Sequence, residues 1–232
     1  LFKGHLDFGQ VGLMGHSRGG EGVRAALDIY NDASKVWRGR LSGLNLPGIA
    51  DLKIKGIFEI GAVDGQAGKV LDAPGVAWNQ LLPLCDGDVS DLEGRMPFER
   101  MSKAHADLAS NQQKSLEFVW GANHNYFNTE WKNDDSWGCI RHDRLTHTNV
   151  GSQKQQDIGL ASMSAFFRAN VGAQPESKWN RIFNTLVAPA AFLNAITRID
   201  RVFSIGFTDN DTVQWDDMNN ADTTKTSLAF NR

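Results

Sequence analysis

One serine in the sequence has the surroundings of a catalytic nucleophile. Ser17 is the centre of a Gly-His-Ser-Arg-Gly frame at residues 15–19, directly after an apolar run that begins at Val11. Glycines two positions before and after the serine allow a sharp reversal that exposes its hydroxyl between a strand and a helix. Helical apolar spacing follows at Val23, Ala26, Leu27 and Tyr30. The pattern predicts a strand, a turn and a helix, with Ser17 on the turn.

A serine becomes nucleophilic only with a base in hydrogen-bond reach and a third group that orients the base. Suitable groups follow two later strands: an acidic loop at residues 86–91 and His124. In an open α/β sheet the carboxyl ends of parallel strands meet at one edge, so groups distant in sequence come together there. The sequence therefore predicts a serine, an acid and a histidine at one sheet edge.

Strands and helices alternate through most of the chain, which predicts an α/β fold with a parallel sheet. After the first strand, the predicted strands are residues 54–61, 76–84 and 116–120. Pro83 lacks an N–H and indicates that the third strand ends there. The predicted helices are residues 21–30, 96–110 and 155–170.

The last 60 residues or so differ in character from the rest. Residues 179–196 have helical character despite Pro189, and residues 201–208 alternate apolar and polar side chains as a strand does. We expect a boundary at residue 172. Residues 1–172 would then be part of a catalytic domain, and residues 173–232 a linker and the start of a short β-rich C-terminal extension.

Three motifs together resemble the α/β-hydrolase superfamily over about residues 7–170. They are the serine frame with Gly20, the Cys-Asp-Gly-Asp-Val loop at residues 85–89 and the Gly-Ala-Asn-His-Asn-Tyr-Phe stretch at residues 121–127. The pattern is most similar to serine esterases related to dienelactone hydrolases, poly(ethylene terephthalate) hydrolases and platelet-activating-factor acetylhydrolases. The resemblance implies an α/β-hydrolase fold with a nucleophile elbow, and the order serine, aspartate, histidine agrees with it.

The resemblance implies a role for each matching residue. Ser17 would be the nucleophile, His124 the general base, and the acid would lie three positions after the strand end at Cys85, which selects Asp88. Asp91 is the second choice and Asp86 the third. The backbone N–H of Arg18 would supply one donor of the oxyanion hole.

The resemblance also implies surroundings for this site. His16 in the elbow, with Tyr126 and Phe127 after the histidine, would border a substrate pocket, for which core packing is the alternative. In this superfamily about half of the sheet precedes the elbow. We therefore expect that about 100 residues, including the N-terminal strands and the second oxyanion donor, lie before Leu1. On this expectation, residues 1–232 by themselves can carry the full triad and still be inactive.

Composition narrows the classes of function. The 232 residues carry a net charge of −3 and no basic run, which argues against nucleic-acid binding, and no apolar run has the roughly 20 residues of a membrane span. No zinc or calcium motif is present, so no metal or cofactor is expected. Cys85 and Cys139 are two free thiols or one bridge. Seven tryptophans are compatible with a secreted or periplasmic enzyme, while the compartment and the oligomeric state stay open.

The sequence thus predicts a serine hydrolase that cleaves a small or lipid-like carboxylic ester through an acyl-enzyme. Two alternatives stay open. The same triad could cleave amides or peptides, and the fold could serve as a binding module without turnover.

Overall fold

The computed structural model describes most of the chain. The described residues are 5–32, 52–103, 112–131, 133–136, 139, 151–176, 179 and 183, with the backbone of the strands Ile199–Ile205, Asp211–Asp217 and Thr226–Phe230.

Four parallel strands form the part of the sheet that matters for the site. They are β1 (Val11–His16), β2 (Ile54–Ile60), β3 (Ala77–Pro83) and β4 (Gln113–Val119), and they pair in that order. All four therefore end at the same edge of the sheet. The predicted strands are confirmed with shifts of up to three residues at their ends, and β3 ends at Pro83, which cannot donate to a ladder.

Three helices accompany these strands: α1 (Arg18–Asn31), α2 (Arg95–Lys103) and α3 (Gly151–Asn170). Helix α1 begins three residues before the predicted start because the chain turns into it directly at Ser17. Helix α3 begins four residues early. The end predicted for α2, residues 104–110, lies outside the described residues.

The strands present alternate side chains to two separate cores, as the two-residue period of a strand requires. On one face, Phe58 and Leu81 pack with Phe166 of α3. On the other, Trp78 and Leu82 lie in one cluster with residues of α1 and α2. The sheet thus has α3 on one face and α1 and α2 on the other, the α/β architecture that the alternating elements predict.

Within the described residues, three antiparallel strands continue the same sheet beyond β4. They are β5 (Ile199–Ile205), β6 (Asp211–Asp217) and β7 (Thr226–Phe230), and β5 pairs along the whole length of β4. Residues 206–208 of the predicted strand and most of residues 179–196 lie outside the described part. The tail therefore contains strands that extend the parallel sheet, and the boundary at residue 172 stays a prediction.

Candidate active site

Ser17 occupies the turn between β1 and α1 in a backbone conformation that few L-residues adopt, with φ 58° and ψ −126°. Its N–H donates to the carbonyl of Ile60, at 2.9 Å, and its carbonyl accepts from Gly20, also at 2.9 Å. A non-glycine residue at positive φ is strained by about 1–3 kcal/mol and persists only where its surroundings hold it. The bond to Ile60 ties the serine turn to the carboxyl end of β2, and the bond from Gly20 closes the turn itself.

Gly15 and Gly20 have no room for a side chain at this turn, whereas a Cβ on Gly19 would meet nothing within 4 Å, so the expectation that Gly19 is needed for space is wrong. A Cβ on Gly15 would lie 2.1 Å from the backbone oxygen of Gly19, and a Cβ on Gly20 would lie 2.3 Å from the Cβ of Ala62. Both distances are far inside van der Waals contact. In the elbow, defined here as residues 15–20, Gly15 therefore packs directly on the backbone of Gly19, and Gly20 packs on the chain that follows β2.

The imidazole of His124 is paired with a buried carboxylate. Its Nδ1 lies 2.8 Å from Oδ2 of Asp86, and both side chains are almost completely buried. The other oxygen of Asp86 accepts the N–H groups of Asp88 and Val89, at 2.9 and 2.6 Å. Asp86 is thereby locked in a turn of its own loop, with one oxygen left for the histidine.

Asp88, the expected acid, lies on the other side of the imidazole. Its carboxylate is 69 % exposed and lies 3.5 Å from Nε2, where it makes no hydrogen bond. The carboxylate at Nδ1 is therefore that of Asp86, the third choice, and not that of Asp88. Asp91, the second choice, is exposed, and its backbone carbonyl accepts from Arg95.

His16 lies against His124, with ring centroids 4.5 Å apart. Burial, followed by the charge of His124, lowers the pKa of His16 to about 4. Burial also lowers the pKa of His124, but the hydrogen bond and charge of Asp86, with the charges of Asp88 and Asp135, outweigh it and raise that pKa. At neutral pH, His16 is therefore the neutral neighbour of a more basic histidine.

The two aromatic residues after His124 lie in the short 3₁₀ helix Asn125–Phe127. Phe127 packs against the core cluster of α3, and a Cβ on Gly159 would lie 3.1 Å from its ring. Tyr126 is half-buried, and its backbone N–H donates to Asn123. Phe127 thus follows the core-packing alternative.

Gly61 shows how closely the three strand ends converge. It follows Ile60, whose carbonyl binds Ser17, and has φ 48°. A Cβ at this position would lie 3.2 Å from both Asp86 Oδ2 and His124 Nδ1. The histidine–acid pair therefore lies over the end of β2, beside the strand end that carries the elbow.

A second aspartate, which the sequence analysis did not single out, joins the two loops of this pair. Asp135 accepts N–H groups from Gly87 in the acid loop (residues 84–91) and from His124 and Asn125, each at 3.2 Å. The disulfide Cys85–Cys139 links the same two parts of the chain, which decides between the bridge and free thiols. Both contacts join the acid loop to the chain after β4.

The residue before His124 is also bonded to helix α3. The side chain of Gln155 in α3 accepts the N–H of Asn123 and donates to its carbonyl. No local pattern marks Asp135 or Gln155 as functional, because their partners are 10 or more residues away. For Asp86, the sequence does give a local indication of its loop bonds, because an aspartate before a glycine often accepts hydrogen bonds from its own loop.

A buried ion pair anchors the chain after β2 to α1. Arg24 donates to Glu59, to Asp64 and to the carbonyls of Val63 and Leu71, while the indole of Trp78 also donates to Glu59. Burial raises the pKa of Glu59 to about 7, against the opposing effect of Arg24. The segment behind the elbow is therefore held by a network of charges in which the Arg24–Glu59 pair is fully buried.

Arg18 begins α1, so its N–H has no acceptor within the helix. It lies directly after Ser17, where an oxyanion-hole donor is expected in such an elbow. Among the described residues, no group of three or more His, Cys, Asp and Glu side chains is placed to hold a metal ion.

No helix in the described part of the chain has both the length and the apolar character that a membrane crossing requires. Comparisons with protein-family models, curated proteins and solved structures found no significant match to this chain.

Proposed function

We propose that the chain is a serine hydrolase of the α/β-hydrolase type that cleaves carboxylic esters through an acyl-enzyme. The observation that carries the proposal is the buried contact between Asp86 and His124, at the sheet edge where Ser17 occupies a strained turn. Strain at a non-glycine residue is most often retained where function needs it. The roles follow from the atoms available at this edge.

Ser17 would attack the ester carbonyl carbon through Oγ, and its proton would pass to Nε2 of His124. This nitrogen is buried and has no hydrogen-bond partner among the described residues. Asp86 accepts from Nδ1, which holds the tautomer with a free Nε2 and stabilises the imidazolium that forms. The Arg18 N–H would donate to the developing oxyanion.

The tetrahedral intermediate collapses when the carbon–oxygen bond to the alcohol breaks and the imidazolium returns its proton to the departing oxygen. The acyl group is then bonded to Ser17. Water attacks the acyl carbon and gives a proton to His124, and collapse of the second intermediate releases the acid and restores the serine. No cofactor is required for this sequence of steps.

The raised pKa of His124 supports this assignment. A base works best when its pKa is near the working pH, and the carboxylates around this imidazole oppose the effect of burial. His16, with a pKa of about 4, stays neutral beside it and adds no repulsion when His124 takes the proton.

The proposal is tested with a fluorophosphonate probe, which forms a covalent adduct only with an activated serine. We expect one adduct on Ser17, together with hydrolysis of short-chain p-nitrophenyl esters, and loss of both in Ser17→Ala. Ser90→Ala, which changes an exposed serine of the acid loop, should keep both. An unlabelled Ser17 in the folded protein, or ester hydrolysis that survives Ser17→Ala, overturns the proposal.

A further inference from the structure

We propose that a groove beside the elbow binds a carboxylate group on the substrate, and that Arg18 is the residue that selects it. The inference rests on the function proposed above and names its substrate class: an ester with a free carboxylate on its acyl or alcohol part. Three observations support it: a cavity, the Arg18 side chain without a hydrogen-bond or ion-pair partner among the described residues, and the position of Arg18 directly after Ser17.

The groove is an open cavity of about 350 Å³ between α1 and the chain after β2. Its lining residues are Arg18, Glu21, Gly22, Ala25, Gln66 and Ala67. Each of the four residues from α1 lies three or four positions from two of the others, so together they form one face of the helix. One end of this face is Arg18, the residue after Ser17.

The charged groups in this lining are not equivalent. Both carboxylate oxygens of Glu21 are occupied, because one accepts the N–H of Gly65, at 2.6 Å, and the other that of Ala67, at 3.0 Å. Arg18 is exposed and makes no hydrogen bond or ion pair with any described residue. Its guanidinium is therefore the charged group in the groove lining whose N–H donors are available to a ligand.

Helix stability does not account for an arginine at this position. The N-terminus of a helix carries a partial positive charge, so a cation in the first turn is unfavourable and an acid such as Glu21 is favourable. Arg18 has no acceptor within the described structure that would offset this repulsion. A bound anion would offset it, because the anion is attracted to both the guanidinium and the helix end.

The geometry of a guanidinium suits a carboxylate, which it can bind through two parallel hydrogen bonds. The Glu21 carboxylate on the same wall repels anions and so disfavours a doubly charged group such as a phosphate monoester. Arg18 would then act twice on one substrate. Its backbone N–H faces the oxyanion and its side chain holds a carboxylate a short distance along the same molecule.

The experiment compares matched esters that differ in one carboxylate. The acyl pair is p-nitrophenyl pentanoate and p-nitrophenyl hydrogen glutarate, and the alcohol pair is phenyl butyrate and p-carboxyphenyl butyrate. For each pair, the ratio of kcat/KM for the charged ester to that for the neutral ester is measured and corrected for uncatalysed hydrolysis. The variants are Arg18→Gln and Arg18→Glu, with Lys53→Gln as the control that removes one exposed charge before β2.

We expect one pair to show a ratio that falls about tenfold or more in Arg18→Gln, which is the size of a lost charge-assisted hydrogen bond. The ratio should fall further in Arg18→Glu and stay unchanged in Lys53→Gln. High salt should reduce the wild-type ratio. A ratio that is the same in wild type and Arg18→Gln for both pairs overturns the inference, even if the neutral esters are hydrolysed.

A binding measurement separates this inference from the proposed reaction. Monomethyl glutarate should bind the full chain carrying Ser17→Ala, as measured by calorimetry, and binding should weaken about tenfold when Arg18→Gln is added. Hydrolysis of neutral esters without this binding contradicts the carboxylate subsite alone. Binding without hydrolysis contradicts the proposed reaction alone.

Discussion

Asp86 holds Nδ1 of His124 at 2.8 Å in a buried contact, and this pairing assigns different roles to the two nitrogens of the ring. Nδ1 is committed to the carboxylate. Nε2 has no hydrogen-bond partner among the described residues, and Asp88 lies 3.5 Å from it. Two aspartates separated by one residue therefore act on opposite sides of one imidazole.

The first prediction separates these two aspartates. Asp86→Asn should lower kcat by about 10³–10⁴-fold, because an amide can hold the ring in the wrong tautomer and cannot stabilise its charge. Asp88→Asn is the matched control and should change kcat by less than about tenfold, since a surface charge contributes little. Steady-state kinetics of ester hydrolysis measure both. A larger loss in Asp88→Asn would restore Asp88 as the orienting acid.

The second prediction concerns Asp135 as a positioning residue. Asp135→Asn should lower kcat more than it raises KM, because the bonds to Gly87 and His124 join the two loops. The carboxylate also helps to raise the pKa of His124. The acidic limb of the kcat/KM profile should therefore move to lower pH in the variant.

The neighbouring change Asp134→Asn removes the same charge without touching those two bonds. Asp134→Asn should leave the acidic limb of the kcat/KM profile closer to its wild-type position than Asp135→Asn does. A purely structural role for Asp135 would reduce the amount of active protein without moving the limb, and that result would contradict the prediction.

The third prediction concerns the disulfide. Cys85 and Cys139 close a loop of 54 residues, so the double variant Cys85→Ala/Cys139→Ala should lose up to about 4 kcal/mol of unfolding free energy in the chain-entropy model. It should also lose activity, because Cys85 directly precedes Asp86. Denaturant unfolding and ester kinetics measure the two effects. Reductant should reproduce them in the wild type and leave the double variant unchanged, and a wild type that is insensitive to complete reduction would count against the role.

The fourth prediction uses two glycines of α1 as a matched pair. Gly20→Ala should destabilise the fold by about 1–3 kcal/mol, because the new methyl group would overlap Ala62. Gly22→Ala meets nothing within 4 Å and should stabilise α1 by up to about 1 kcal/mol through helix propensity. Thermal unfolding of both variants tests this. Equal effects would mean that the elbow is not closely packed.

The fifth prediction concerns the pH dependence of stability. Glu59 has a pKa of about 7 in the folded protein, against 4.5 ordinarily. Between these values the folded state keeps a proton that the unfolded chain has lost, so the contribution of Glu59 to stability falls as the pH rises. From pH 4.5 to 7, the wild type should lose up to about 3 kcal/mol relative to Glu59→Gln.

Denaturant unfolding at several pH values measures this difference. Glu99→Gln is the control, because Glu99 forms an exposed ion pair with Arg95 and should give a nearly constant difference. A wild type that gains stability relative to Glu59→Gln as the pH rises would show that Glu59 is ionised throughout.

Much of the fold was predictable from the sequence because its signals are local. The apolar runs of β1 to β4 and the helical spacing in α1 and α3 follow from burial of one element at a time. The glycines at positions 15 and 19 indicated a tight turn for the same reason, and a close fit is found at Gly15 but not at Gly19. A hydroxyl, an acidic and an imidazole group each follow the end of a predicted strand. Because parallel strands end at the same edge of a sheet, the sequence predicted that these groups lie close together.

The pairing of groups within the site needed the tertiary structure. Asp86, Asp88 and Asp91 all lie within eight residues of the end of β3, and only the path of their loop decides which carboxylate is buried against Nδ1. Asp135 and the cysteine bridge act across 10 to 54 residues, where periodicity carries no information. The same holds for β5, whose pairing with β4 depends on backbone hydrogen bonds rather than on a side-chain pattern, and for β6 and β7, which pair onward from β5.

The sequence by itself therefore determined the order of the first four strands and their helices, the turn at Ser17 and the presence of acidic and imidazole groups after two later strands, because hydrophobic burial and glycine sterics act over a few neighbouring positions. Only the tertiary structure decided which acid meets the histidine, which nitrogen stays free and what joins the two loops. Hydrogen bonds and charges depend on distance and direction in space, and these exist only once the strands have come together.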